Sequence, residues 1–242
     1  MKKLGVGLVV VVAAGGFAAS AWGDYTPIQP PLLGEPSHQQ VLSHLYGTSF
    51  SASGLNFVGA NGVSVTRLHD FGSGGVVDFR DGSLPGADEL FTGGNTRATA
   101  TAVFSASRQQ FGLMAGNGAE AGFQKGFETQ GLGYNASGSF TVDLADQTWT
   151  LARRGGLFSG QRNLQTSVAT DNPFDLDHLV TYRVEGPGGQ LSWLLFWEDS
   201  SIPGLRDFND LVVEIQAIPA PAALLLGGIG LAMVGIGRRW LA

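Results

Sequence analysis

Polar and apolar residues alternate in several short stretches in the middle of this chain. Each stretch is rich in β-branched and aromatic side chains and is bounded by Gly, Asn, Asp or Pro. A period of two predicts β-strands, because successive side chains of a strand point to opposite faces of its sheet. Only one short helical turn is predicted in this part, at 39–45. The predicted strands are 98–104, 139–144, 148–151, 179–184, 191–197 and 211–215.

Short strands separated by Gly-rich turns are typical of an all-β fold in which two sheets pack as a sandwich or jelly roll. We therefore predict one sandwich body over residues 38–217, preceded by a flexible Pro-rich leader at 24–37. Charged residues make up 14% of the 242 residues and 37 are Gly, which argues against helix bundles and coiled coils. The sequence has no Cys, which excludes disulfides, thiolate metal sites and Cys nucleophiles.

The N-terminus has the three parts of a secretory signal peptide. Met1-Lys2-Lys3 is basic, residues 4–19 are apolar and uncharged, and small residues at Ala19, Ala21 and Gly23 suit a cleavage site. We predict a signal peptide at 1–23 with a mature start at Trp22 or Asp24. An uncleaved N-terminal anchor is the alternative, but polar and Pro-rich sequence follows directly.

The C-terminus contains a second apolar segment. Residues 222–237 form an uncharged run of 16 residues between a proline pair and an arginine pair. As a helix this run would span about 24 Å, and flanking apolar residues and snorkelling arginines could extend it to a hydrocarbon core of about 30 Å. We predict a single transmembrane helix with its C-terminus in the cytoplasm, because basic residues stay on that side. A buried core helix is the alternative.

This C-terminal layout resembles the PEP-CTERM sorting signal of Gram-negative bacteria. The matching parts are Pro219-Ala220-Pro221-Ala222, the helix at 223–237 and Arg238-Arg239. The family usually has Glu where Ala220 stands, and the apolar residue is similar to the VPLPA-like variant. The resemblance implies that the tail at 218–242 is a transient inner-membrane anchor. It also implies cleavage by an exosortase-type membrane protease and delivery to the cell surface or the exopolysaccharide matrix.

The charge of the body is strongly negative. All 20 acidic residues lie between Asp24 and Glu214, whereas four of the 14 basic residues lie in the two ends, so the body carries about −10. This argues against a nucleic-acid partner, because phosphate binding needs a clustered basic face. An acidic exported protein instead suits a solvated surface with divalent cations nearby.

Oxygen-bearing side chains are concentrated between the last two predicted strands. A hairpin over Pro203-Gly204 would bring them together, and crowded carboxylates need a cation, a proton or water. Oxygen ligands on a flexible loop suit Ca²⁺, although the spacing is not that of an EF-hand. Two alternatives remain open: these residues form turns with Arg206 pairing one carboxylate, or they are catalytic. The proposed ligands are Glu198, Asp199, Asp207, Asn209 and Asp210.

The same stretch resembles the DUF4114 domain family, an exported bacterial module without an assigned activity. The matching residues are Phe196-Trp197-Glu198-Asp199 and 206–213, with a weaker match at 110–113. The resemblance implies a β-rich domain over about 95–217. Modules of this kind occur just upstream of PEP-CTERM tails, which is the order here.

Three functions are compatible with these features. The first, which we favour, is a non-catalytic, Ca²⁺-stabilised surface or matrix protein that associates with exopolysaccharide. The second is a carbohydrate-binding module, for which Trp193 and Trp197 could form an aromatic platform or belong to the core. The third is a polysaccharide-processing enzyme, which needs two carboxylates in a cleft. The scattered histidines support no hydrolytic triad, and His178 after Asp177 is interpreted as the surface start of a strand rather than a ligand pair.

Overall fold

The computed structural model describes residues 25–31, 34–71, 75–81, 87–105, 108–114, 122–144, 150–155, 163–199 and 206–218. The predicted signal peptide and the sorting residues Pro219, Ala220, Pro221, Ala222, Arg238 and Arg239 lie outside these ranges. Within them, no helix is both long enough and apolar enough to cross a membrane.

The described residues form a mostly β structure with one α-helix, α1 (His38–Tyr46). The strands are β1 (Phe50–Ser53), β2 (Asn56–Gly59), β3 (Ser64–Arg67), β4 (Val77–Asp78), β5 (Phe91–Thr92), β6 (Asn95–Val103), β7 (Gln110–Met114), β8 (Phe123–Glu128), β9 (Ser139–Asp143), β10 (Thr150–Gly155), β11 (Asn163–Thr166), β12 (Leu179–Glu185), β13 (Leu191–Trp197) and β14 (Leu211–Ala217). Each of the six predicted strands overlaps an observed strand, and the helical turn at 39–45 lies within α1. The all-β prediction is therefore confirmed.

Two antiparallel sheets contain most of these strands. The larger has the order β1-β2-β3-β12-β13-β14-β6-β9, and the smaller has the order β11-β10-β7-β8. Strands β4 and β5 form a short parallel pair. The central strands of the larger sheet, β12 to β14, are consecutive in sequence, so their pairing needs only short connections.

One hydrophobic core is shared by the two sheets. It contains Phe111 of β7 and Leu151 of β10 together with Trp193 and Trp197 of β13. The ring centroids of Phe111 and Trp197 are 6.3 Å apart. Apolar burial between the sheets therefore holds the smaller sheet against the larger one.

A second core covers the opposite face of the larger sheet. Val41 and Leu42 of α1 share it with Tyr182, Phe196 and Phe208. Strand β13 is consequently buried at every position from Ser192 to Trp197. A two-sheet sandwich buries alternate residues of each strand, so the continuous burial of β13 differs from that pattern because α1 covers its second face.

The start of α1 is fixed by a capping box. The backbone N–H of Ser37 donates to Gln40 Oε1 at 2.8 Å, and the Ser37 hydroxyl accepts from the Gln40 backbone N–H. Gly47 ends the helix in the left-handed conformation, with φ of 60°, which Gly adopts without a Cβ clash. These caps place His38 over the sheet.

The N-terminal segment packs against the body. Thr26 is buried, and its hydroxyl donates to Asp177 Oδ2 at 2.7 Å. The backbone N–H of Gln29 donates to the Arg206 carbonyl at 2.8 Å. These hydrogen bonds tie the described part of the predicted leader at 24–37 to the body.

Candidate metal site

The hairpin formed by β13 and β14 brings the two halves of the acidic loop together. Trp197 pairs with Leu211 in the antiparallel register, so Glu198 and Asp210, the next residues outward, lie opposite each other. The backbone N–H of Asp199 donates a hydrogen bond of 2.6 Å to Asp210 Oδ2. The predicted antiparallel pairing of the two strands is confirmed, and the predicted turn at Pro203-Gly204 lies outside the described residues.

Glu198, Asp199 and Asp210 form what we call the carboxylate triad. One carboxylate oxygen from each lies within 4.8 Å of the others. Ligand oxygens of a bound Ca²⁺ lie 2.3–2.6 Å from the ion, so opposite ligands are separated by roughly 5 Å. The triad is therefore narrow enough for all three carboxylates to contact one ion.

Backbone amides hold Glu198 in place. Glu198 Oε2 accepts hydrogen bonds from the backbone N–H groups of Asp207, at 2.9 Å, and Phe208, at 3.2 Å. Phe208 has φ of 56°, a left-handed conformation that is unfavourable for a bulky residue. Its ring is fully buried in the second core, and this burial offsets the backbone strain.

His38 supports the same turn from the helix side. Its Nε2–H points to the carbonyl oxygens of Asp207, at 2.9 Å, and Phe208, at 3.1 Å. Its Nδ1 therefore accepts from the Tyr182 hydroxyl at 2.8 Å. Burial lowers the pKa of His38 to about 3, so the ring is neutral and acts as a fixed donor.

The cation beside the triad is Arg153 of β10, which the sequence analysis did not identify. Its Nη2 lies 3.4 Å from Asp199 Oδ2, and its side chain is completely buried. Its Nε donates to Gln109 Oε1 at 2.7 Å. The available signal was the strand alternation, because Arg153 follows the core residue Leu151 by two positions and shares its face.

Two further carboxylates, those of Glu35 and Asp207, lie near the triad. Glu35, from the N-terminal segment, shares a side-chain hydrogen bond with Asp207. Burial, this hydrogen bond and the charges of Asp207, Glu198 and Asp199 raise the pKa of Glu35 to about 7. Five carboxylates thus lie in one region. Glu35 was not predicted, since it is far from the hairpin in sequence.

The surroundings of Asp210 strongly favour its protonated form. Burial raises its pKa to about 9, and the charges of Asp199 and Glu198 add to the effect. A protonated Asp210 can donate to Glu198, which reduces the repulsion in the absence of metal. A divalent cation would relieve the same repulsion by replacing that proton.

The remaining predicted residues are placed differently. Asn209 is buried, and its Nδ2 donates to the Pro36 carbonyl at 3.0 Å, while its Oδ1 has no hydrogen-bond partner among the described residues. The Arg206 guanidinium Nη1 lies 3.4 Å from the Asp177 carbonyl oxygen. Asp207 is thus not one of the three carboxylates of the triad, and the arginine in contact with the triad among the described residues is Arg153.

Burial decides two other interpretations of the sequence. Trp193 and Trp197 are both completely buried in the first core, so they do not form an exposed aromatic platform. His178 is also buried, and its Nδ1 donates to the Glu198 carbonyl at 3.1 Å. The interpretation of His178 as a surface strand start is therefore wrong, because the second face of β12 is covered too.

A scan against protein-family models found no match to this chain, and a search of curated proteins found none either. The two family resemblances therefore rest on their motifs, and the function is argued from the site itself. Three convergent carboxylates can hold a hard cation through oxygen ligands. Backbone amides bond to those of Glu198 and Asp210, and one arginine neutralises only part of their charge.

Proposed function

We propose that this protein is an exported, non-catalytic cell-surface or exopolysaccharide-matrix protein whose β-rich body is stabilised by Ca²⁺. The single observation that carries the Ca²⁺ proposal is the carboxylate triad, with three oxygens within 4.8 Å and one buried arginine beside them. Asp207, Asn209 and Glu35 lie around it and add negative charge or oxygen atoms. The finer fold that we propose is a two-layer β-sandwich of jelly-roll type with an additional helix on its outer face.

The export proposal is supported by the two ends of the sequence. A signal peptide at 1–23 would carry the body across the inner membrane, and the tail at 218–242 would anchor it there transiently. An exosortase-type protease would then release the body near Pro219 and Pro221. Exopolysaccharide is the partner expected at the destination, and no nucleic-acid partner is proposed.

Mass spectrometry of the protein from its native host tests the export proposal. We expect a chain that begins at Trp22 or Asp24 and ends near residues 219–222. Replacing Arg238 and Arg239 with Gln should impair retention of the tail in the membrane, and hence its processing. A full-length chain recovered from the cytosol with both ends intact would overturn the proposal.

Luminescence of bound Tb³⁺ tests the triad. Tb³⁺ occupies Ca²⁺ sites, and Trp197 precedes Glu198 directly, so excitation of Trp197 should sensitise the ion. We expect Ca²⁺ to displace Tb³⁺ and Asp199→Asn to weaken binding. The matched control is Asp175→Asn at an exposed position, which should leave the signal unchanged. A signal that survives both Asp199→Asn and Asp210→Asn would exclude the triad as the binding site.

A groove favours saccharide binding as a second candidate function. It has a volume of about 570 Å³ and is lined by Tyr46, Gln190, Ser192, Glu214 and Gln216, among others. An aromatic ring beside amide, hydroxyl and carboxylate groups is suited to a sugar. Burial beside Glu214 raises the pKa of Tyr46 to about 12, so its hydroxyl remains a donor. Calorimetry with exopolysaccharide fragments should show binding that Tyr46→Ala weakens, and an absence of binding would remove this candidate.

A further inference from the structure

A second group of buried carboxylates lies apart from the triad in sequence. Asp70, Asp88 and Asp177 are each at most 2% exposed. They lie after β3, before β5 and before β12 respectively. The Asp88 backbone N–H donates to the His69 carbonyl at 2.9 Å, which keeps the first two segments together. None of these three residues belongs to the acidic loop of the candidate metal site.

Some carboxylate oxygens of this group accept hydrogen bonds, whereas others have no partner among the described residues. Asp70 Oδ2 accepts from Arg67 Nη2 at 2.5 Å and from the Thr26 backbone N–H. Asp177 accepts from Leu179 N–H at 3.0 Å and from the Thr26 hydroxyl at 2.7 Å. In contrast, Asp70 Oδ1 and both oxygens of Asp88 have no hydrogen-bond partner among the described residues.

The fully buried hydroxyl of Thr181 lies beside Asp88. Thr181 Oγ1 lies close enough to Asp88 to favour its charged form, yet it also lacks a hydrogen-bond partner within the part of the chain that the structure describes. Four unpartnered oxygen atoms therefore belong to Asp88 and to two residues that interact with it, Asp70 and Thr181. Buried polar atoms are almost always partnered, and each unpartnered one costs about 1–3 kcal/mol.

The charges in this group do not balance either. Three ionised carboxylates carry −3, and Arg67, which is buried beside Asp70, contributes +1. Burial raises the pKa of Asp177 to about 7 and the pKa of Asp88 well above its ordinary value of 3.8. Either one divalent cation or two protons would complete the balance.

We propose that Asp70, Asp88 and Thr181 form a second Ca²⁺ site, with Asp177 beside it as a further negative charge. The available donors are carboxylate and hydroxyl oxygens, which Ca²⁺ prefers over softer metals. Asp177 has both oxygens occupied by hydrogen bonds, so it acts through its charge. Because Thr26 bonds to both Asp70 and Asp177, the ion would hold the N-terminal segment on the body. This proposal is independent of the triad.

Metal counting on the purified full chain tests the proposal. After dialysis against Ca²⁺, we expect two ions per chain in the wild type and one in Asp88→Asn, with Asp175→Asn as the exposed control retaining two. Asp210→Asn should remove the other ion, so failure of the triad and failure of this site are distinguishable. Thr181→Val provides a second, nearly isosteric variant with a weakened second ion. An unchanged count in Asp88→Asn would overturn the proposal and indicate shared protons instead.

Hydrogen exchange at two amides locates the ions. At free Ca²⁺ about 100-fold above the dissociation constant, opening that releases an ion becomes about 100-fold rarer. The Thr26 amide, which donates to Asp70, should be protected by about that factor in the wild type but not in Asp88→Asn. The Asp199 amide, which donates to Asp210, should be protected in both. If Ca²⁺ protects the Thr26 amide from exchange equally in the wild type and in Asp88→Asn, the second site is contradicted.

Discussion

Removal of the buried guanidinium of Arg153 is the sharpest test of how the acidic region is balanced without metal. Arg153→Met keeps the length of the apolar stem but leaves Asp199 without the cation 3.4 Å away. Breaking a buried ion pair costs about 3–5 kcal/mol. The Asp199 side chain is 18% exposed, so water screens part of the loss and we expect about 3 kcal/mol.

The measurement is thermal unfolding in chelator, followed by circular dichroism. For a body of this size about 3 kcal/mol corresponds to a melting temperature lower by about 6–12 °C. Saturating Ca²⁺ should recover part of this loss, because the ion supplies the missing positive charge. Arg80→Met is the control: its side chain is 52% exposed and pairs with Asp78 at the surface, where water screens the pair, so the melting temperature should stay close to that of the wild type. An Arg153→Met variant as stable as the wild type in chelator would refute the reasoning.

Three further predictions follow from buried groups elsewhere. Without metal, stability in urea should fall as the pH rises from 7 to 9, because Asp210, with its pKa of about 9, binds a proton in the folded state that the unfolded chain has lost. Asp210→Asn should make this slope smaller without removing it, because the pKa of Asp88 is raised as well, and an unchanged slope would contradict the prediction. Gly112→Ala should cost about 1–3 kcal/mol in urea unfolding, since its Cβ would clash with the Gln124 carbonyl oxygen, and a neutral result would show that β7 and β8 can separate. Thr26→Val should cost about 1–3 kcal/mol by leaving Asp177 Oδ2 unpartnered, and wild-type stability would contradict the packed N-terminal segment.

Local pattern was sufficient for six of the fourteen described strands and for the core of the site. Short runs of β-branched and aromatic residues identified β13 and β14, and their antiparallel pairing necessarily brought Glu198 opposite Asp210. Strands β1 and β2 were missed because most of their residues are not buried, so their sequences carry little apolar alternation. Periodicity reports which residues share a face, but it does not report which faces are covered.

The remaining contributions to the site come from segments far apart in sequence. Arg153 reaches Asp199 from the smaller sheet, and Glu35 reaches Asp207 from the N-terminal segment. No local spacing relates these residues, because sheet packing alone brings them together. The burial of Trp197 also depends on sheet packing. The sequence of β13 would be the same whether the face that carries Trp197 were exposed or packed against Phe111.

The most direct test of the central claim is the rise in melting temperature that Ca²⁺ produces in the wild type, compared with the Glu198→Gln, Asp199→Asn, Asp210→Asn triple variant. At free Ca²⁺ about 100-fold above the dissociation constant, the triad should contribute about 2.7 kcal/mol, or about 5–11 °C. We predict that the wild-type rise exceeds the variant's rise by this amount. Equal rises in both proteins, or no rise in the wild type relative to chelator, would contradict a Ca²⁺ site at the triad.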